Sequence, residues 1–539
     1  MKKVAIGLAV ILVLGSIALA ILARSVLTGE HVRAAVAAQL SSALGQPVTI
    51  GTLGASIYPR VTMDLADVAI GQPARIQLQQ VHVGTDFRAL LSRRVEHADV
   101  RIDGARIELP LPNFGQLGAT VAPRDANQPA SKPPVEIASI DEIVLTNVAV
   151  VSGDRTLSGD IELVPEGSGV QLRRVALAAD ETKVEMTGMI DSLSPIKGRV
   201  EARANEVNFD RLLNFFTDFA GSTAGAAPAG SRASRGSGAT TAAPATTGID
   251  GSLTFDLTVG RATTGELLLT DLRALATVSP AAITFSPLTL GVFGGRYEGT
   301  MHVNLGDASR FRWQAKVKGI NTAELMAFAK SPNTITGTLG GTFTLEGAGL
   351  QMEQALRTSH GAARVDITDG SIAGLALVRT IVVATSGRGG YLASAASAAE
   401  TRGNAGDAEK FSRLGATLAL ANGVMSTRDF AMTSTDVDLM AVGAVSIASM
   451  TTKLDGQVQL SEELSKKGGT DLYRYTQQDG RVTLPATVSG PLANLSVRID
   501  VAQAASRAIR NRATEEINKA IERNLPGGLR GLFPKRPPK

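Results

Sequence analysis

The sequence predicts a mainly β protein: an extended antiparallel sheet with a few short helices, one N-terminal transmembrane helix and one C-terminal amphipathic helix. Three observations predict it. Apolar and polar residues alternate with a period of two in segment after segment. Glycine is abundant, at 56 residues, and punctuates those segments as turn residues do. Stretches with a helical period are few and short. Composition sets the outer bounds. The chain of 539 residues is 44% hydrophobic and 19% charged, so it is neither disordered nor strongly polar. It has no cysteine, which excludes disulfides and thiolate-bound metals. A net charge of +4 over this length lacks the concentrated basic face of a nucleic-acid binder.

The first element is a membrane segment. Lys2 and Lys3 precede a charge-free run, residues 4–23, which only Gly7, Gly15 and Ser16 interrupt and Arg24 closes. About twenty helical residues at ~1.5 Å rise span ~30 Å, the thickness of a bilayer's hydrocarbon core. A cleaved signal peptide carries a shorter apolar region of about 7–15 residues. Residues 1–24 therefore read as an anchor, although Ala18-Leu19-Ala20 resembles a cleavage site. The two lysines favour a cytoplasmic tail, with the body on the other side. Residues 29–44 then read as a helix: Val32, Val36 and Leu40 fall on one face and Gly45 ends it.

After Pro47 the period changes to two. In residues 25–220, Val61, Met63 and Leu65 alternate with Thr62, Asp64 and Ala66. Ile107 and Leu109 alternate with Arg106, Glu108 and Pro110. In residues 248–501, Leu253, Phe255, Leu257 and Val259 alternate with Thr254, Asp256 and Thr258. Phe311, Trp313 and Val317 alternate with Arg312, Gln314 and Lys316, and Phe343 and Leu345 with Thr344 and Glu346. Leu495, Val497 and Ile499 alternate with Ser496, Arg498 and Asp500. Each run is a strand with one apolar and one wet face. Turns are expected at Gly294-Gly295, Gly340-Gly341 and Asn422-Gly423.

About 25 such strands at ~4.8 Å spacing would extend on the order of 100 Å. Their apolar face must be covered, by closing as a barrel, by pairing as a sandwich, or by curling into a gutter that something else fills. On pattern alone, packing against protein is the commoner outcome. The helical cover available is small: residues 208–220, with Leu212, Leu213, Phe215, Phe216 and Phe219, and residues 322–330.

Three stretches have loop composition: a Pro-rich loop, 118–134, a low-complexity linker, 221–247, that divides the body, and a Gly/Ala/Ser-rich insertion, 386–407. Residues 502–539 form an amphipathic helix and a basic tail. Ile509, Ile517 and Ile521 lie near one face, to pack on the sheet or on a membrane surface, and Glu515, Glu516 and Glu522 dilute its positive charge. No catalytic motif is found. The histidines, His31, His82, His97, His302 and His360, have no metal-ligand spacing, and Asp366 to Gly370 reads as a turn between strands, not as a calcium loop. The expectation is a protein that is not an enzyme and carries no cofactor or metal.

Several segments together resemble the AsmA family of bacterial envelope proteins. The anchor and short helix lead through Leu44-Gly45-Gln46-Pro47-Val48 into the first strand. Residues 288–299 resemble the family's strand, Gly-Gly turn and strand. Residues 365–374, 414–424 and 484–495 follow in the family's order, the last resembling its closing strand pair. The resemblance implies a long curled β-groove with an apolar lining, like that of bridge-like lipid transport proteins. It implies a single-pass protein of the bacterial inner membrane, held by residues 4–23, with its bulk in the periplasm. The implied role is phospholipid transport or homeostasis between inner and outer membranes, with the alternating apolar residues named above as the lipid lining. The alternative is a non-catalytic scaffold that influences outer-membrane protein assembly or protein targeting to membrane through an envelope protein partner.

Overall fold

The computed structural model describes residues 30–56, 60–86, 94–111, 136–224, 251–381, 399–402, 408–467 and 477–500, short gaps aside, and a few more between 513 and 520. The anchor at 4–23, most of the loop at 118–134, the linker at 221–247, the insertion at 386–407 and most of the C-terminal helix lie outside the described residues. Among the described residues, no helix is long and apolar enough to cross a membrane. The chain divides into two compact units, residues 1–287 and 288–539.

In the first unit, helix α1 (Glu30–Leu44) precedes β1 (Val48–Ser56), β2 (Val61–Ile70), β3 (Ile76–Thr85), β4 (Arg94–Val95), β5 (Ala98–Leu109), β6 (Glu136–Ile137) and β7 (Ile140–Ser152). Then come β8 (Arg155–Glu166), β9 (Gly169–Ala179), β10 (Thr182–Leu193), β11 (Ile196–Asn208), helix α2 (Phe209–Ala224), β12 (Gly251–Thr264) and β13 (Leu267–Val278). Strand β14 (Ala282–Val292) contains the division between units. β4 and β6 form a two-stranded patch of their own. The other strands pair in chain order from β1 to β13. Among the described residues no pairing returns from β13 to β1, so the sheet is open.

The expected antiparallel ladder holds except at two steps. β5 pairs with β7 in parallel, and β11 pairs with β12 in parallel. A parallel neighbour requires a crossover of a dozen or more residues. The two loop-like stretches, 118–134 and 221–247, supply those crossovers, and the strands on either side of the second lie directly beside each other. Residues at 221–247 therefore join two neighbouring strands of one sheet.

The crossover helix α2 follows the strand ends. Sixteen residues make ~24 Å of helix, about the width of the five strand steps from β7 to β12. At one end Asp210 accepts a hydrogen bond from the Thr264 hydroxyl at 3.3 Å. At the other end the buried Ser152 hydroxyl donates to the Phe219 carbonyl at 2.7 Å, and Arg155 reaches Asp218 at 2.9 Å. Phe215 points into the core and stacks on Phe219 at 5.6 Å. Ser152→Ala removes this bond from a part-buried site and should lower stability by about 1 kcal/mol. Urea unfolding followed by far-ultraviolet circular dichroism would measure it.

The second unit contains β15 (Gly295–Asn304), β16 (Arg310–Asn321), helix α3 (Thr322–Phe328), β17 (Ile335–Ala348), helix α4 (Met352–Thr358) and β18 (His360–Ala373). It continues with β19 (Ala399–Arg402), β20 (Ala408–Ala421), β21 (Val424–Thr433), β22 (Val437–Ser446) and β23 (Thr451–Leu460). Helix α5 (Glu462–Lys467), β24 (Gln477–Gln478), β25 (Arg481–Pro491) and β26 (Ser496–Ile499) complete it. The main ladder is antiparallel throughout, and β18 pairs directly with β20 while β19 closes onto β26.

Two expected turns are corrected. Gly340-Gly341 lies inside β17, where a Cβ on Gly341 would stand 2.3 Å from the Arg364 carbonyl oxygen. Glycine serves there for close backbone approach, not for reversal. Asp366 to Gly370 lies inside β18, where Asp369 takes a positive φ of 51° at an irregularity in the pairing with β17 and Asp366 holds Arg413. Asn422-Gly423 is a hairpin turn as expected, both residues having the positive φ that such a two-residue loop requires.

Candidate functional site

The register assembles the alternating residues into rows. In the first unit one row runs Ile161, Val175, Met186, Ala202, Leu257 and Ala274 across β8 to β13. A second runs Leu163, Leu172, Gly188, Val200, Phe255 and Ala276. Directly opposite residues share a face, so these rows form one apolar surface with no charged side chain in it. The reverse face is wet: Arg199 lies 3.4 Å from Asp256, and Arg173 lies 3.1 Å from Glu142. His82, at the β1 end, also faces outward, with Nδ1 2.6 Å from the Asp64 carboxylate.

The cover over this surface is uneven. Toward β1 it is filled by protein. Val36, Leu40 and Leu44 of α1, at i, i+4 and i+8, pack into a core with Met63, Leu65, Ile102 and Leu145. The sequence-predicted lining residues Val61, Met63, Leu65, Ile107 and Leu109 are all buried, the last four in this core, Met63 to 2% exposure. Toward β13 the same face is only half covered. Leu253, Phe255, Leu257 and Val259 are half-buried, as are Ile161 and Met186 opposite them.

The second unit repeats this contrast. Trp313 sits between Met301 and Leu345, and Ala315 between Gly299 and Phe343. Phe311, Trp313, Val317, Phe343 and Leu345 are half-buried. Trp313 meets Phe343 edge-on at 5.1 Å, and its indole N–H donates to the Tyr297 hydroxyl. That bond satisfies the one polar atom of the indole within an apolar wall. Burial pushes the Tyr297 hydroxyl above its ordinary pKa, although the bond from Trp313 opposes this. Tyr297 and Met301 belong to the same wall. Sequence reading passed over them, although they alternate with Glu298 and Thr300.

Beyond β18 the wall is covered again. A row runs Leu339, Ile367, Leu414, Met432, Leu439, Val458 and Leu484 from β17 to β25. Leu375, Leu377 and Ile381, from the stretch after β18, join the same buried cluster, and so do Leu495, Val497 and Ile499. Glu409 stands at this cover with 9% exposure, and its carboxylate accepts a hydrogen bond from the Val378 backbone N–H at 3.5 Å. Burial raises its pKa to about 7. Asp436 adds to the rise, while the Val378 and Leu377 backbone bonds oppose it.

The predicted lining residues therefore fall into three groups. Five are buried in the first unit, nine line half-open walls on β12, β16 and β17, and three lie in the covered cluster of the second unit. Half-open apolar walls offer burial without directional contacts. The AsmA family model matches residues 240–430, from just before β12 into β21. No significant match to a curated protein or to a solved structure was found.

Proposed function

From the match of residues 240–430 to the AsmA family, we propose that this chain is an AsmA family protein that holds or conducts phospholipid acyl chains along its half-open apolar walls. It does so as an inner-membrane-anchored periplasmic protein, contributing to lipid transport or homeostasis between the two bacterial membranes. The observation that supports this reading is the half-burial of Leu253, Phe255 and Leu257, and of Trp313, Phe343 and Leu345, in uncharged rows. Large apolar side chains left partly in water carry a standing cost. Covering them with an acyl chain recovers it on both partners, at about 0.8 kcal/mol for each buried CH₂. Val, Leu, Ile, Met and Phe provide this burial without selecting a headgroup. In this reading the protein performs no catalysis and needs no cofactor.

Trp313 is the chain's only tryptophan and lies in one of these walls, so it serves as a built-in reporter. Full-length protein purified in mild detergent should carry extractable phospholipid, seen by mass spectrometry. Phospholipid brominated on its acyl chains should quench Trp313 fluorescence, and the unbrominated lipid should not. Protein free of phospholipid and indifferent to brominated chains would overturn the proposal.

A further inference from the structure

The covered section of the second unit differs from an ordinary core in three ways. First, its wall continues the half-open one. Leu339 on β17 and Leu484 on β25 stand in one transverse row, so the lining chemistry does not change where the cover begins. Second, the covering stretch is no part of the ladder. It leaves the sheet between β18 and β20, which pair directly along their lengths, so its departure breaks no strand pairing. Third, a buried carboxylate holds its backbone: Glu409 receives the Val378 N–H at 3.5 Å. Burying a carboxylate is costly, and what it returns here is a long bond to the backbone of the covering stretch, a weak seat for a permanent core.

We propose that residues 374–381 are a displaceable stopper, seated by Glu409, that occupies the β20–β25 section of the apolar wall in place of lipid. Leu375, Leu377 and Ile381 fill the section that acyl chains take on β15 to β18. Release of the stopper extends the lipid-holding wall by several strands. This inference rests on the lipid reading above and adds its regulation.

The chain has no cysteine, so a single thiol reports without ambiguity. Met432 lies in the transverse row, shares a buried cluster with Leu375, Leu377 and Ile381, and is 1% exposed. In full-length Met432→Cys protein the thiol should resist maleimide. Replacing residues 374–381 by a Gly/Ser segment of equal length should make it reactive, make added phosphatidylglycerol vesicles protect it, and raise the lipid count per chain in native mass spectrometry. A milder change, Leu377→Ser, keeps the test informative if the replacement fails to fold. It should speed maleimide reaction on the order of a hundredfold through local opening, with the far-ultraviolet circular dichroism of the sheet unchanged. A thiol that reacts only under conditions that unfold the whole sheet would overturn the stopper, as would an unchanged lipid count in the folded replacement. If Trp313 is still quenched by brominated lipid in those cases, the stopper alone has failed. If Trp313 is not quenched in any variant, the lipid reading falls and the stopper with it.

Discussion

Leu257→Asp should cut phospholipid binding at the β8–β13 wall at least tenfold, while Asp256→Lys, one residue away, should leave it unchanged. The two positions lie on opposite faces of β12. Leu257 stands between Ala202 and Ala274, two small buried residues that leave its side chain as the relief of that row. A carboxylate there would face an acyl chain with no partner. Its desolvation costs several kcal/mol, and every 1.4 kcal/mol is a factor of ten in affinity. The residue is half-buried without lipid, so the folded protein tolerates the charge by keeping it wet. The penalty therefore falls on binding and not on folding. Asp256 faces solvent and meets Arg199 at 3.4 Å in an exposed pair, which is worth little. The measurement is binding of a fluorescent or spin-labelled phospholipid to each full-length variant, with thermal melts as controls. Equal losses in both variants, or normal binding by Leu257→Asp, would contradict the lipid reading. Val317→Asp should behave in the same way in the second unit, with quenching of Trp313 as the readout.

The strands were legible in the sequence because period two has one geometric cause, and a half-buried strand must display it. Helix α1 was legible for the same reason at period 3.6: Val36 and Leu40 pack where the pattern puts them. What the pattern did not carry is pairing between strands distant in sequence. The strands flanking 221–247 read as separate halves, because low-complexity composition says how a stretch fails to fold and not where its ends meet. Val497 and Leu257 sit in identical alternations, yet one is fully buried and the other half-open. The difference is made by the chain that covers each. The cover after β18 is short, with Leu377, Val378, Thr380 and Ile381 helical, and one helical turn is too little for a period to show. Glu409 did leave a signal. It stands two residues from Phe411, so alternation places a carboxylate on an apolar face. Such a conflict between charge and face marks either a costly defect or a functional contact.

That carboxylate yields the second large effect: Glu409→Gln should stabilise the second unit at pH 8 by about 3 kcal/mol and have little effect at pH 5. The folded-state pKa is raised to about 7 from an ordinary 4.5, first by burial, with Asp436 adding to it. Between these values the folded protein keeps a proton that the unfolded chain has lost. Stability therefore falls as pH rises from 4.5 through 7, opposite in sign to a salt-bridged acid. At about 1.4 kcal/mol for each step of one in pKa, the gap amounts to about 3 kcal/mol. Glutamine keeps the shape and an oxygen to accept the Val378 N–H, but has no charge to bury. At pH 5 the folded wild-type side chain is neutral and the unfolded one is just past its pKa, so the substitution gains less than about 1 kcal/mol there. Trp313 lies in the same unit and reports its unfolding by fluorescence. Urea midpoints of wild-type and Glu409→Gln protein should coincide at pH 4, lie close at pH 5 and separate progressively toward pH 8. A constant difference at all pH values would mean that Glu409 is as solvated folded as unfolded. The seat it provides for Leu377 and Val378 would then have to be drawn differently.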